Sequence, residues 1–362
     1  MRQPVGTTQQ RSVAIWLIAC AALVYAVLIV GGITRLTHSG LSIVQWQPLA
    51  GVLPPLSDQA WATLFDQYRA TPEYRLVNFD ITLEGFQRIF WLEYVHRLMG
   101  RLAGLAFLLP LLWFLRSRII APRLAWRLAA IFALGALQGT LGWYMVASGL
   151  VQAPHVSPIL LTAHLALALL IIGTMLWTAW GLRLAGRRRV PGLAAAAVAV
   201  VFAMALSGGL VAGTRAGYAY NTFPLMDGYI VPPDLMRISP WYLNFLDNLA
   251  TVQFVHRVFA WTLVLLVPAL WWWIRGLAPA PLARVASNWM LAALALQLAL
   301  GIATLLSGVA LPLAVAHQAG TVLLYAAGLW TAHALGIEHP ASADGASAAD
   351  LHSDPALIAN GR

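Results

Sequence analysis

Eight apolar runs, each long enough to cross a bilayer, constrain this chain more than any other feature. They read as Val13–Ile33, Phe90–Leu115, Leu128–Val146, Ile159–Leu182, Leu193–Gly213, Val252–Ile274, Asn288–Ser307 and Leu313–Leu335. About 20 residues at roughly 1.5 Å each cover the hydrocarbon layer. Inside that layer a segment must satisfy its own backbone polar groups, so each run is expected to be an α-helix. Composition agrees: 60% of residues are hydrophobic and 10% charged, which excludes a soluble globular domain. The expected fold is an all-α polytopic membrane protein with eight transmembrane helices.

Charge sets the topology. All 22 basic residues are arginines, and most of them fall in alternate short loops, Arg116 to Arg127, Arg183 to Arg189, and Arg275 with Arg284. Those loops and both termini are expected on the cytoplasmic side. The net charge of +9 is therefore a topology signal, and no nucleic-acid partner is read from it. Two long loops, 34–89 and 214–251, fall on the opposite, periplasmic side of a bacterial inner membrane, and long ordered loops usually carry function. In the first of them, Trp61, Leu64, Phe65 and Tyr68 recur at helical spacing. They predict an amphipathic helix, either a lid over a site or a helix lying on membrane lipid. The run Val13–Ile33 reads as a spanning helix and not as a cleavable signal. Cys20 is the only cysteine, so an intrachain disulfide and a cysteine-based metal site are both excluded.

The chain repeats itself. Gly31-Gly32 matches Gly208-Gly209, Gln138 and Gly142 match Gln297 and Gly301, and the proline pair Pro54-Pro55 matches Pro232-Pro233. Four spans per half is an even number, so the halves run parallel through the membrane. Two four-helix bundles related by a pseudo-two-fold axis along the membrane normal are expected. The divisions are 1–12, a cytoplasmic N-terminus; 13–182, the first half; 183–192, a cytoplasmic linker; 193–335, the second half; and 336–362, a disordered cytoplasmic tail.

Four histidines sit at repeat-related places: His96 with His256, and His164 with His317. Ionisable groups at membrane depth are costly and point to function. All four fall in the outer leaflet at similar depth. In an antiparallel bundle the second and fourth helices face each other diagonally, so each half offers two imidazoles suited to the axial positions of a haem iron. Arg97 and Arg257, beside two of them, are read as propionate contacts at the outer boundary. Zinc or copper is disfavoured by the shortage of carboxylates and thiols nearby.

One difference between the copies is informative. Glu93 precedes His96 by one helical turn, and Gln253 holds that place before His256. A buried glutamate beside a cofactor can exchange protons, whereas glutamine cannot. Glu93 is thus the candidate catalytic residue, the first half the half that does chemistry, and the second a half that holds a haem. His38 and His155, in outer loops, read as solvated, and His333 as a side chain snorkelling to the inner boundary. Gln138 and Gln297 are expected to hydrogen-bond across helices. Asp227, Asp234 and Asp247 are candidates to receive an electron-donor protein.

These residues resemble the haem A synthase family. Eight spans in two parallel halves, Glu-x-x-His in the second helix and histidines in the fourth, sixth and eighth carry the resemblance. The segment Phe65 to Tyr74, with Gly40-Leu41-Ser42 and Asn221 to Met226, looks like the branch shared by mitochondria and related bacteria. That branch lacks the first-loop cysteine pair, and so does this chain. The resemblance implies an oxidoreductase that converts haem O to haem A by two successive hydroxylations of a ring methyl, with haem-copper oxidases using the product. It implies that His96 and His164 hold the substrate haem, that Glu93 is catalytic, and that His256 and His317 ligate the iron of haem b. Haem O synthase and cytochrome oxidase assembly factors are the partners it suggests. The electron donor and the oligomeric state, including a homo-oligomer, stay open. The alternatives are a bis-histidine membrane cytochrome for electron transfer and a haem transporter.

Overall fold

A computed structural model describes residues 8–46, 50–151, 154–183, 190–277 and 281–336. Among the described residues there are no strands, and eight helices are long and apolar enough to span. They are α1 (Thr8–Leu36), α4 (Leu83–Arg116), α5 (Pro122–Gly149), α6 (Pro158–Arg183), α7 (Gly192–Thr214), α9 (Leu249–Gly276), α10 (Pro281–Leu306) and α11 (Leu311–Leu335). Three shorter helices lie in the two long loops that the arginine pattern assigns to the outer side: α2 (Asp58–Arg69), α3 (Pro72–Leu76) and α8 (Asn244–Asp247). Arg187, Arg188, Arg189 and the tail from Glu338, with His339 and His352, lie outside the described residues.

Several spans begin earlier than the apolar runs do. α4 starts at Leu83 rather than Phe90, capped by Thr82, whose side chain accepts from the Gly85 amide. Its 34 residues reach about 50 Å, well beyond a hydrocarbon layer of about 30 Å. Its first turns carry Glu84, Gln87 and Arg88, which hydropathy discounts but which water accepts. That extension supports α2. Trp61 meets Phe90 edge-on at 4.9 Å between ring centroids, and Tyr68, fully buried, lies 5.2 Å from Phe86. The apolar face of α2 is therefore spent on protein as well as on any lipid surface.

Packing follows the repeat. α1 touches α4 and α6, and α5 touches α4 and α6, which closes a ring with α4 and α6 at opposite corners. α7, α9, α10 and α11 make the same ring, with α9 and α11 opposite. The rings meet through α1–α11, α6–α7 and α6–α11. Small residues permit this approach, as expected where helices pack in lipid. A Cβ at Gly209 of α7 would stand 3.0 Å from the Thr162 hydroxyl of α6, and one at Gly173 of α6 would stand 2.8 Å from the Tyr325 hydroxyl of α11. Arg35, at the outer end of α1, donates to the Ala212 carbonyl of α7 and ties the two rings together.

Candidate functional site

Each of the four histidines rests on a glycine of the neighbouring helix. A Cβ at Gly31 would stand 2.7 Å from Nε2 of His96, and one at Gly142 would stand 2.9 Å from Cε1 of His164. In the second ring, Gly208 faces Cε1 of His256 at 3.1 Å and Gly301 faces Cε1 of His317 at 2.7 Å. These are the glycines that the repeat pairs, and the reason for them is steric: the imidazoles occupy the space a side chain would take. His164 lies within electrostatic reach of His96, and His256 of His317, so the rings group in twos. Among the described residues no three His, Cys, Asp or Glu side chains gather as a metal cage. Pairs of imidazoles fit a ligand that brings its own equatorial donors, as a haem does.

The surrounding bonds fix the helices that carry the rings. Gln138 of α5 donates to the His164 carbonyl at 3.1 Å, and Gln297 of α10 donates to the His317 carbonyl at 2.9 Å. Gln297 also reaches the Thr321 hydroxyl at 2.7 Å. Nδ1 of His164 and Nδ1 of His317 are buried without a hydrogen-bond partner. The Ser207 hydroxyl stands 2.8 Å from Nδ1 of His256 and donates its one proton to the Met204 carbonyl at 2.8 Å. With that proton engaged, it accepts from the His256 tautomer that carries its proton on Nδ1 and leaves Nε2 a bare lone pair. A haem iron needs such a nitrogen, so the donor set fits the group.

Glu93 is buried at 2% exposure. One oxygen takes the Ser42 hydroxyl at 2.7 Å and the Ile43 amide at 2.8 Å, and the other takes Arg97 at 2.5 Å. Gln253, buried at 3%, has the same i+4 arginine, accepting from Arg257 at 3.0 Å, but its amide donates to the Ala216 carbonyl at 2.8 Å. The outer loop thus offers donors to the glutamate and an acceptor to the glutamine. Arg97 also donates to the Ile43 carbonyl at 2.9 Å, and Arg257 to the Thr222 carbonyl at 2.8 Å. Both guanidinium groups pin the loops to the helices that bear His96 and His256.

Sequence reasoning missed three residues here. Ser207 and Thr321 are ordinary hydroxyls in apolar helices until the halves are aligned: the places of Val30 and Ala168 in the first half are theirs in the second. Glu73, in α3, is buried at 2% beside Tyr68, whose hydroxyl lies 3.4 Å from its carboxylate. Burial, and then the charge of Glu93, push the Glu73 carboxyl up to about 8. Asn78 supports Tyr68 from the other side, donating at 2.7 Å.

Other readings sort plainly. His38 and His155 are exposed, and burial of part of the ring, with Arg215 and Arg35 nearby, lowers the pKa of His38. The expectation that His333 snorkels is wrong. It is fully buried, with Trp177 and Trp180 of α6 at 5.0 and 5.6 Å between ring centroids, because the inner end of α11 packs against α6 and not against lipid headgroups. Asp227 and Asp234 line one outer depression with Tyr220 and Arg237.

Residues 14–329 match the cytochrome oxidase assembly protein family. The chain belongs to that family, the haem A synthases. It is similar to the heme A synthase of Nitrosospira multiformis, at 53% identity over 90% of this chain and 94% of the relative. It is also similar to those of Nitrosomonas eutropha, at 48% over 91% and 95%, and Parvibaculum lavamentivorans, at 45% over 90% and 94%. The family match runs through both rings of helices and all four histidine–glycine contacts.

Proposed function

We infer that this protein converts haem O to haem A, oxidising one ring methyl to a formyl group for use by haem-copper oxidases. The observation that carries the reading is the exchange of Glu93 for Gln253 between two otherwise matched histidine–glycine sites. His96 and His164 hold the substrate haem, and His256 and His317 hold haem b. Bound there, haem supplies iron redox chemistry, and in the first half it also carries the methyl group to be oxidised. Glu93 takes or gives the proton that each oxidation requires. Ser42, the Ile43 amide and Arg97 hold its two oxygens in place, so the carboxylate waits in a fixed position. Arg97 and Arg257 fix the outer loops above the sites, and their charge also suits propionates. The haem sites lie toward the periplasmic face of the inner membrane with both termini cytoplasmic. An electron donor and the partners that bring haem O and receive haem A meet the protein on surfaces still to be mapped.

The test is extraction of haems from the purified protein after co-expression with a haem O source. Haem b together with haem O, its hydroxylated form or haem A is expected. Haem b alone, with haem O abundant, would leave an electron-transfer cytochrome as the better reading.

A further inference from the structure

The two rings differ in how firmly they hold their histidines. In the second ring one histidine has a hydroxyl against its imidazole, and the other has one against its backbone carbonyl. The Ser207 hydroxyl hydrogen-bonds with Nδ1 of His256 at 2.8 Å, and Thr321 takes the Gln297 amide while donating to the His317 carbonyl at 3.1 Å. In the first ring those two places are Val30 and Ala168, and neither side chain can hydrogen-bond. Gln138 is left with the His164 carbonyl alone among the bonds made by its amide nitrogen. The rings also sit differently: Cε1 is nearest the glycine in His164, His256 and His317, whereas in His96 it is Nε2, turned against α1.

We propose that Ser207 locks His256 onto its haem, and that Val30 leaves His96 free to swing off its own. This rests on the assignment of the four histidines as haem ligands. Outer hydrogen bonds orient metal-bound imidazoles, and their loss typically weakens binding about 10- to 100-fold. A site that oxidises its own bound haem needs an open position on the iron, whereas a site that only holds haem gains from staying closed. Ser207 and Val30 are positioning residues for these two demands. Neither reaches the iron itself.

Exchange of the two residues tests this, with carbon monoxide binding to the dithionite-reduced, haem-loaded protein as the readout. In the wild type, haem b should exclude carbon monoxide and the first-half haem should take it up. Ser207→Val should let haem b bind carbon monoxide at least about tenfold faster, and Ser207→Thr, which keeps the hydroxyl, should restore exclusion. Val30→Ser should slow uptake at the first-half haem by a similar factor. Loss of haem b in Ser207→Val with retention in Ser207→Thr also supports the lock. Loss in both, or unchanged exclusion in Ser207→Val, overturns it. Wild-type protein purified without haem b would instead overturn the ligand assignment beneath it.

Discussion

In the first half a carboxylate gathers a hydroxyl, a backbone amide and a guanidinium; in the second, an amide side chain at the same place bridges a guanidinium and a backbone carbonyl. The frames agree closely: the same ring of helices, the same glycine under each imidazole, the same arginine one turn on. The difference is confined to a few side chains, and each follows from one demand. Glutamate can be charged and can change its protonation; glutamine can only bridge. A hydroxyl at 207 fixes a ring, and a valine at 30 does not. On the proposed reading, a repeated scaffold becomes a working site and a holding site by editing hydrogen bonds and leaving the packing alone.

The largest effect should come from Glu93→Gln. Turnover should fall by about 10²–10⁴-fold while both haems still load, as extracted haem content would show. Comparable turnover in the variant would remove the distinction between the halves. Next is Gly301→Ala, whose new methyl meets Cε1 of His317 at 2.7 Å, against 3.1 Å for Gly208→Ala and His256. Overpacking of this kind costs about 1–3 kcal/mol, so haem b per protein, measured as the pyridine haemochrome, should fall in both and further in Gly301→Ala. Gln253→Glu is the reverse edit. It sets a carboxylate against the Ala216 carbonyl, and should lower the thermal midpoint without adding activity.

The smallest effect concerns Glu73. Its carboxyl is raised to about 8 in the folded protein from an ordinary value of 4.5. The folded state therefore holds an extra proton between those values, and stability should decline as pH rises through that window, by at most about 1.4 kcal/mol per unit. Thermal midpoints between pH 6 and 8 should show this slope in the wild type and lose it in Glu73→Gln. Glu93→Gln removes a repelling charge and should move the upper end of that window, set by the folded-state Glu73 carboxyl, toward acid, which would show the two carboxyls to be coupled.

Much of this was legible in the sequence, for a physical reason. A bilayer demands long apolar runs, and a duplication lets one half annotate the other, so the spans, the histidines and Glu93 stand out. Helix starts do not, because the outer turns of α4 are amphipathic and belong to the loop layer. Glu73 reads as a routine acidic residue after Thr71-Pro72, and its burial depends on α2 folding back onto α4. Ser207 was hidden because serine is unremarkable in an apolar helix, and only its contact with Nδ1 gives it meaning. His333 misled because position near a helix end says nothing of which neighbour covers it.

Consider again the imidazoles that lean on bare Cα positions. A ring resting on a flexible side chain can drift with every rotamer change beneath it. A ring resting on backbone cannot sink toward the neighbouring helix unless a whole helix moves, and only its rotation is left to the hydrogen bonds around it. On the proposed assignment of haems to the two histidine pairs, an electron passing between them would cross a gap with which tunnelling probability decays exponentially. The four glycines would tie that gap to helix packing.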